Sequence, residues 1–186
     1  MKPASKEKLL RDLVFHRQAF LTALAALTCL SQSENVAAIT KRPISISGPD
    51  IEDGLQFDLR PIQRALKSAG RDKVLRNFLK TALRTVVRDS HEAIWQYCKA
   101  TDGTGNMELL RDQPWFDILR LIRDAFSHDA KWVFDEKTKN AMPIEWKKIR
   151  LDKDQEGTRL QFEQIPLTAL FDLLAVAEQF VHERLQ

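Results

Sequence analysis

Cysteine is scarce in this chain: two residues in 186, Cys29 and Cys98, which lie far apart and in no CxxC or Cys/His cluster. Such a pair makes neither a disulfide framework nor a structural zinc site, and each thiol reads as buried and inert in a reducing compartment. Six glycines and seven prolines are too few for a collagen-like or low-complexity chain. Charge of one sign is also lacking. The net charge is +3 with no basic tail, so bulk electrostatics does not by itself call for a nucleic-acid partner. HExxH, GxSxG and metal-ligand spacings of Cys or His are absent, and no carboxylate pair stands out as an acid/base dyad. Thr101–Asn106 (TDGTGN) contains glycine but lacks the GK[ST] of a phosphate loop, and reads as a turn. The expectation is a protein without metal or cofactor.

With 44% hydrophobic and 30% charged residues, the composition is that of one globular domain, residues 1–186, with a real core. Phe20–Leu30 is apolar and follows Lys6, Lys8, Arg11 and Arg17, as a short signal core would. Yet Leu9, Leu10, Leu13, Val14, Phe20, Leu21, Leu24 and Leu27 recur at helical spacing through the charged stretch, and the apolar run is too short to span a bilayer. The spacing predicts an amphipathic core helix over 5–30, capped by Ser5, in a cytoplasmic protein with no membrane partner.

Residues 31–70 read as a loop-rich insertion. Pro43 and Gly48–Pro49 break it, two short strands are allowed around Ile44–Ser47 and Leu55–Leu59, and Pro61 opens a short helix. A long helix follows over 72–99 with Asp72 as cap. Val74, Leu75, Phe78, Leu79, Ala82, Leu83, Val86, Ile94 and Tyr97 form its apolar side. Pro114 starts the next helix after Asp112 or Gln113, with Trp115, Ile118, Leu119, Ile122 and Phe126 as its stripe. A β-hairpin is expected within 144–164, with Trp146–Leu151 and Thr158–Glu163 flanking the polar Asp152–Gly157. Pro166 opens the last helix. The fold class is all-α: a compact bundle of four to five helices with a β-hairpin before the last one.

The informative stretch is Leu119–Asp129, which brings Arg123, Asp124 and His128 to the polar end of a strongly apolar helix. A permanent cation and a group that titrates near neutrality suit phosphodiester cleavage by a ribose 2′-hydroxyl. The His moves a proton and the guanidinium meets charge building on the phosphoryl oxygens. Positions five apart on an ideal helix point about 140° from each other. Both side chains therefore share a site only if the helix ends or bends between them, or if a second chain completes it.

Arg123–His128 (RDAFSH) resembles the R-[polar]-x-x-x-H signature of the HEPN superfamily, compact helical bundles whose motif lies towards the end of a late helix. The polar position is most often Asn in that family, and Asp124 is an accepted variant. The resemblance implies a metal-independent ribonuclease of toxin–antitoxin or other defence systems, dimerising so that two Arg/His pairs form one cleft. On that basis Arg123 stabilises the transition state, His128 is the general acid/base and Asp124 orients its neighbours. Products would carry 2′,3′-cyclic phosphate and 5′-hydroxyl ends. The implied partners are RNA, a second copy of the chain, and a cognate antitoxin or regulatory protein. Non-catalytic HEPN-like modules that dimerise or bind a nucleotide or a partner are the alternative. Family members silenced by nucleotide transfer commonly carry a Tyr two residues after the His; here that position is Ala130, and the single Tyr is Tyr97.

Arg76, Lys80, Arg84 and Arg88 follow one another at i+4 intervals, with His91 next. This row is a solvated face or a ridge beside the cleft that tracks RNA phosphates, with Arg84, Arg88 and His91 as the RNA-binding candidates. Trp115, Trp132 and Trp146 are core or base-stacking residues, and Trp95 is a candidate dimer contact.

Overall fold

The computed structural model describes residues 5–32, 36–37, 44–48, 51–58, 60–68 and 70–186. The chain is mostly helical, with a small hairpin before the last helix. Its elements are α1 (Lys6–Leu30), β1 (Ile44–Gly48), β2 (Ile51–Phe57), α2 (Arg60–Lys67), α3 (Arg71–Ala100), α4 (Asn106–Arg111), α5 (Pro114–Ser127), α6 (Glu136–Ala141), β3 (Ile144–Trp146), β4 (Ile149–Leu151) and α7 (Leu167–Arg184). They cluster into two compact units, Phe20–Leu83 and a second formed by the chain up to Ala19 with Arg84–Gln186.

In the Phe20–Leu83 unit, β1 and β2 pair antiparallel with Ile44 opposite Phe57 and Ile46 opposite Leu55. The two strands allowed by the sequence are thus present, while Leu59 lies outside the described residues. Phe20, Val36, Leu66 and Leu83 are buried here. Val74 and Phe78, expected on the apolar side of α3, are 37% and 41% exposed, so the core stripe of that helix begins at Leu83. Asp72 is not the cap of α3 but sits in its first turn, because the helix begins one residue earlier. Cys29 is exposed, against the expectation of a buried thiol.

The second unit holds most of the core. Ser5 caps α1 as expected, its Oγ accepting from the Lys8 N–H at 3.2 Å. Leu9 and Leu13 are buried, whereas Phe15 is 66% exposed. Arg17 pairs with Glu178 of α7 at 2.7 Å, and Lys6 donates to the Leu185 carbonyl. By length and composition alone α1 is the one described helix that could cross a membrane. From α3, Val86, Val87, Ile94 and Cys98 turn inward, and the Tyr97 hydroxyl donates to the Gln186 carbonyl at 2.6 Å. Pro114 at the first helical position starts α5 as expected; Gln113 is the N-cap residue but makes no side-chain cap. Eight of the fourteen α5 residues are buried, so this helix is the centre of the unit, packed against α7 and β3.

The hairpin differs from its expected form. Its strands are β3 and β4, joined by Lys147–Lys148 with Lys147 at φ +50°, and not Trp146–Leu151 paired with Thr158–Glu163. Thr158–Leu160 is committed elsewhere: Trp132 donates to the Thr158 carbonyl at 3.0 Å and Leu160 to the Ala130 carbonyl at 2.8 Å. That pairing anchors the chain just after the RDAFSH motif.

Candidate functional site

Helix α5 ends within the RDAFSH segment. Ser127 is its last residue, and His128 at the C-cap has φ −110° and ψ 48°, its N–H shared between the Asp124 and Ala125 carbonyls. Asp129 and Ala130 then take φ of +58° and +56°, turning the chain towards the anchored Lys131–Trp132 segment. The helix ends at Ser127, and the His128 φ of −110° turns its side chain off the ideal helical direction while its N–H keeps the helical bond to Asp124. The His128 side chain is exposed and has no hydrogen-bond partner among the described residues. Asp129 pairs with Arg159 at 3.9 Å.

Arg123, by contrast, is held. Its Nε and Nη2 donate to Asp124 Oδ1 at 2.9 and 2.5 Å, and Nη1 lies 3.1 Å from His91 Nδ1. Guanidinium offers five N–H donors; three are used here, leaving one on each terminal nitrogen. Asp124 in turn faces Arg120 through Oδ2 at 3.6 Å, and Arg120 reaches Thr138 Oγ1 at 3.1 Å and Asp117 at 3.6 Å. An Arg–Asp–Arg chain thus runs along α5, with both motif side chains about a quarter exposed (28% for Arg123, 26% for Asp124).

His91 stands apart from its expected role. It is only 2% exposed and stacks against Phe116 (centroids 4.9 Å, planes 11° apart) and Trp95 (6.3 Å, 14°). It cannot touch RNA from there, which corrects its place in the phosphate ridge. Burial, with Arg123 and Arg120 nearby, pushes its pKa down to about 3. The ring is therefore neutral at pH 7. With Nδ1 accepting from Arg123, the proton sits on Nε2, which has no partner and no contact with solvent. His91 is a holder of Arg123 that sequence reasoning left ambiguous. A signal existed, since position 91 is four after Val87 and three before Ile94, both fully buried.

Arg84 and Arg88 are exposed, as a ridge requires, with Arg88 Nε bonded to Asp89 at 2.9 Å. Trp115 and Trp132 are buried and unavailable to bases, while Trp95 is half-buried beside His91 rather than free for a partner's surface alone. Cys98 is fully buried, and its thiol is pushed up to about 12 by desolvation. Among the described residues no group of three or more His, Cys, Asp or Glu side chains converges as metal ligands would.

Next to the Arg–Asp–Arg chain lies a cavity of about 420 Å³, walled by Trp95 and Phe116 on one side and α6 on the other. Arg120 lines it; Arg123 and His128 do not. Comparison with protein-family models, with curated proteins and with solved structures finds no match for this chain.

Proposed function

We propose that this chain is a metal-independent endoribonuclease of HEPN type, working as a cytoplasmic homodimer in a microbial defence or toxin setting under the control of an antitoxin or regulatory protein. The observation that supports it best is the end of α5: an exposed His128 at the cap, and one turn back an Arg123 fixed by Asp124 and His91 with two N–H groups uncommitted.

The ribose 2′-oxygen attacks the adjacent phosphorus and the bond from phosphorus to the 5′-oxygen breaks. One His128 takes the 2′-hydroxyl proton, and the partner chain's copy delivers a proton to the departing 5′-oxygen. The two free N–H groups of Arg123 meet the non-bridging oxygens as negative charge gathers there. Asp124 and His91 hold the guanidinium and touch no substrate. Arg84 and Arg88 add sequence-blind attraction for the backbone.

The alternative is a HEPN-like module without catalysis, and the same three hydrogen bonds favour it, since a guanidinium bound within its own chain is also a structural one. The chemistry of the product ends separates the two. Purified protein is incubated with end-labelled tRNA and mixed RNA in excess EDTA. Fragments with 2′,3′-cyclic phosphate and 5′-hydroxyl ends are expected; fragments ending in 3′-hydroxyl and 5′-phosphate, or no cleavage of any RNA, contradict the nuclease reading.

A further inference from the structure

The 24 residues from Arg60 to Leu83, which include α2 and the first part of α3, carry seven Lys/Arg and one acid, whereas the other 162 residues carry 22 and 25. Cations are thus gathered on one part of the Phe20–Leu83 unit, an asymmetry that points to a polyanionic partner. Arg60 is paired with Asp58 at 2.9 Å; the other six cations have no ion-pair partner among the described residues. Lys67 of α2 and Arg71 of α3 border one hollow, so the cations of the two helices are continuous. Apolar side chains stand out on the same helices: Ile62 is 45% exposed, Val74 37% and Phe78 41%. Around α3, at about 100° per residue, Phe78 lies about 40° from Val74, and Arg71 about 20° beyond Phe78. On the other side of Val74 come Thr81, Asn77 and then exposed Lys73 and half-buried Lys80, at about 100° and 120°. Asp72, the one acid of the stretch, lies about 160° from Val74. The apolar pair is therefore bordered by cations on both sides.

We infer that this face of α3 docks on an anionic lipid surface, with Val74 and Phe78 entering the boundary between headgroups and acyl chains while Lys67, Arg71, Lys73 and Lys80 hold the headgroups. A helix lying in the plane of a bilayer surface presents this order, apolar side chains downward and Lys or Arg reaching out from the flanks. A nucleic-acid strand would use the cations and the Phe78 ring, but the aliphatic Ile62 and Val74 do nothing for a sugar–phosphate backbone. The sequence alone predicts no membrane partner; the exposed apolar pair among unpaired cations calls for a peripheral one, without a span. The face uses neither Arg123 nor His128, so it stands or falls independently of the nuclease reading.

The charge and the apolar contact can be removed separately. The full chain is sedimented with vesicles of phosphatidylcholine alone and of phosphatidylcholine with about one-third phosphatidylserine, at about 0.15 M salt. Affinity for the anionic vesicles should exceed that for the neutral ones by about tenfold or more. Lys73→Glu with Lys80→Glu should lower it by about tenfold or more. Val74→Ser with Phe78→Ser leaves every charge in place and should still lower it by about fivefold or more. Circular dichroism checks that both double variants are folded. His128→Ala should bind the anionic vesicles as the wild type does, whatever it does to RNA cleavage. Equal binding to the two kinds of vesicle, no binding to the anionic ones, or unchanged binding by either folded double variant overturns the inference. A 2′-O-methyl RNA, which has no 2′-hydroxyl to attack with, tests the other polyanion. If it binds tightly, loses affinity in Lys73→Glu with Lys80→Glu, and the vesicles do not bind, the face belongs to nucleic acid and the inference is overturned.

Discussion

His91 shows how a buried side chain sets the terms for an exposed one. Protonating it would put a third positive charge beside Arg123 and Arg120 where little water can screen it, so the fold holds it neutral down to about pH 3. In the unfolded chain the same ring titrates near its ordinary 6.5. The folded pKa is the lower one, so this contribution to stability is fully present above about pH 6.5 and is lost as pH falls towards 3, at roughly 1.4 kcal/mol per pH unit. Urea unfolding of wild type and His91→Leu across that range tests it: the wild-type curve should fall more steeply with acid, and parallel curves would count against a buried neutral ring. His91→Leu should also lower kcat for RNA more than it changes KM, because a loosened guanidinium costs transition-state contact before it costs binding. The two thiols make a simpler contrast. Exposed Cys29 should react with iodoacetamide under native conditions, and Cys98 only after denaturant, since its thiol is pushed up to about 12 and has no solvent contact. At this scale the motif was legible because Arg123, Asp124 and His128 lie within one short run of sequence. His91 was not, because its partner is 32 positions away and only the fold brings it there.

Among the elements, α5 holds Arg123 and Asp124 in place. Ile118, Leu119 and Ile122 are at most 1% exposed, so Ile122→Ala should cost about 2–5 kcal/mol in a urea melt and take the motif with it. Helix α6 depends instead on one cap. Asp135→Ala removes the acceptor for Thr138 and should cost about 1 kcal/mol, a small effect that circular dichroism melting can register. The long helices were readable because stripes of several turns and prolines such as Pro114 and Pro166 mark them unambiguously. Helices α4 and α6 were missed, since six residues give less than two turns of pattern. The hairpin was placed too far along the chain for a different reason. Arg159–Phe162 alternates as a strand does, but Leu160 and the preceding Thr158 bond to Ala130 and Trp132, and the true turn uses a lysine at positive φ where glycine or asparagine would have marked it.

For the whole molecule, the proposed ribonuclease requires two chains. The Arg123 and His128 of one protomer supply one proton carrier, and cleavage of an RNA strand calls for one to take a proton and one to give it. Sedimentation should therefore find a dimer at micromolar concentration, and cleavage per chain should fall on dilution through the dimer's dissociation range. The division at Ala19 and Leu83 leaves no mark in the hydrophobic period, which reports which side of a helix is buried and not what it is buried against. The most direct test of the central claim compares RNA cleavage by wild type, His128→Ala and Arg123→Ala in excess EDTA, with circular dichroism confirming that all three are folded. His128 is exposed and has no hydrogen-bond partner among the described residues, so its loss should leave the fold intact. Both variants should lose cleavage by about a hundredfold or more. Cleavage that persists in folded His128→Ala at the wild-type rate would contradict that claim.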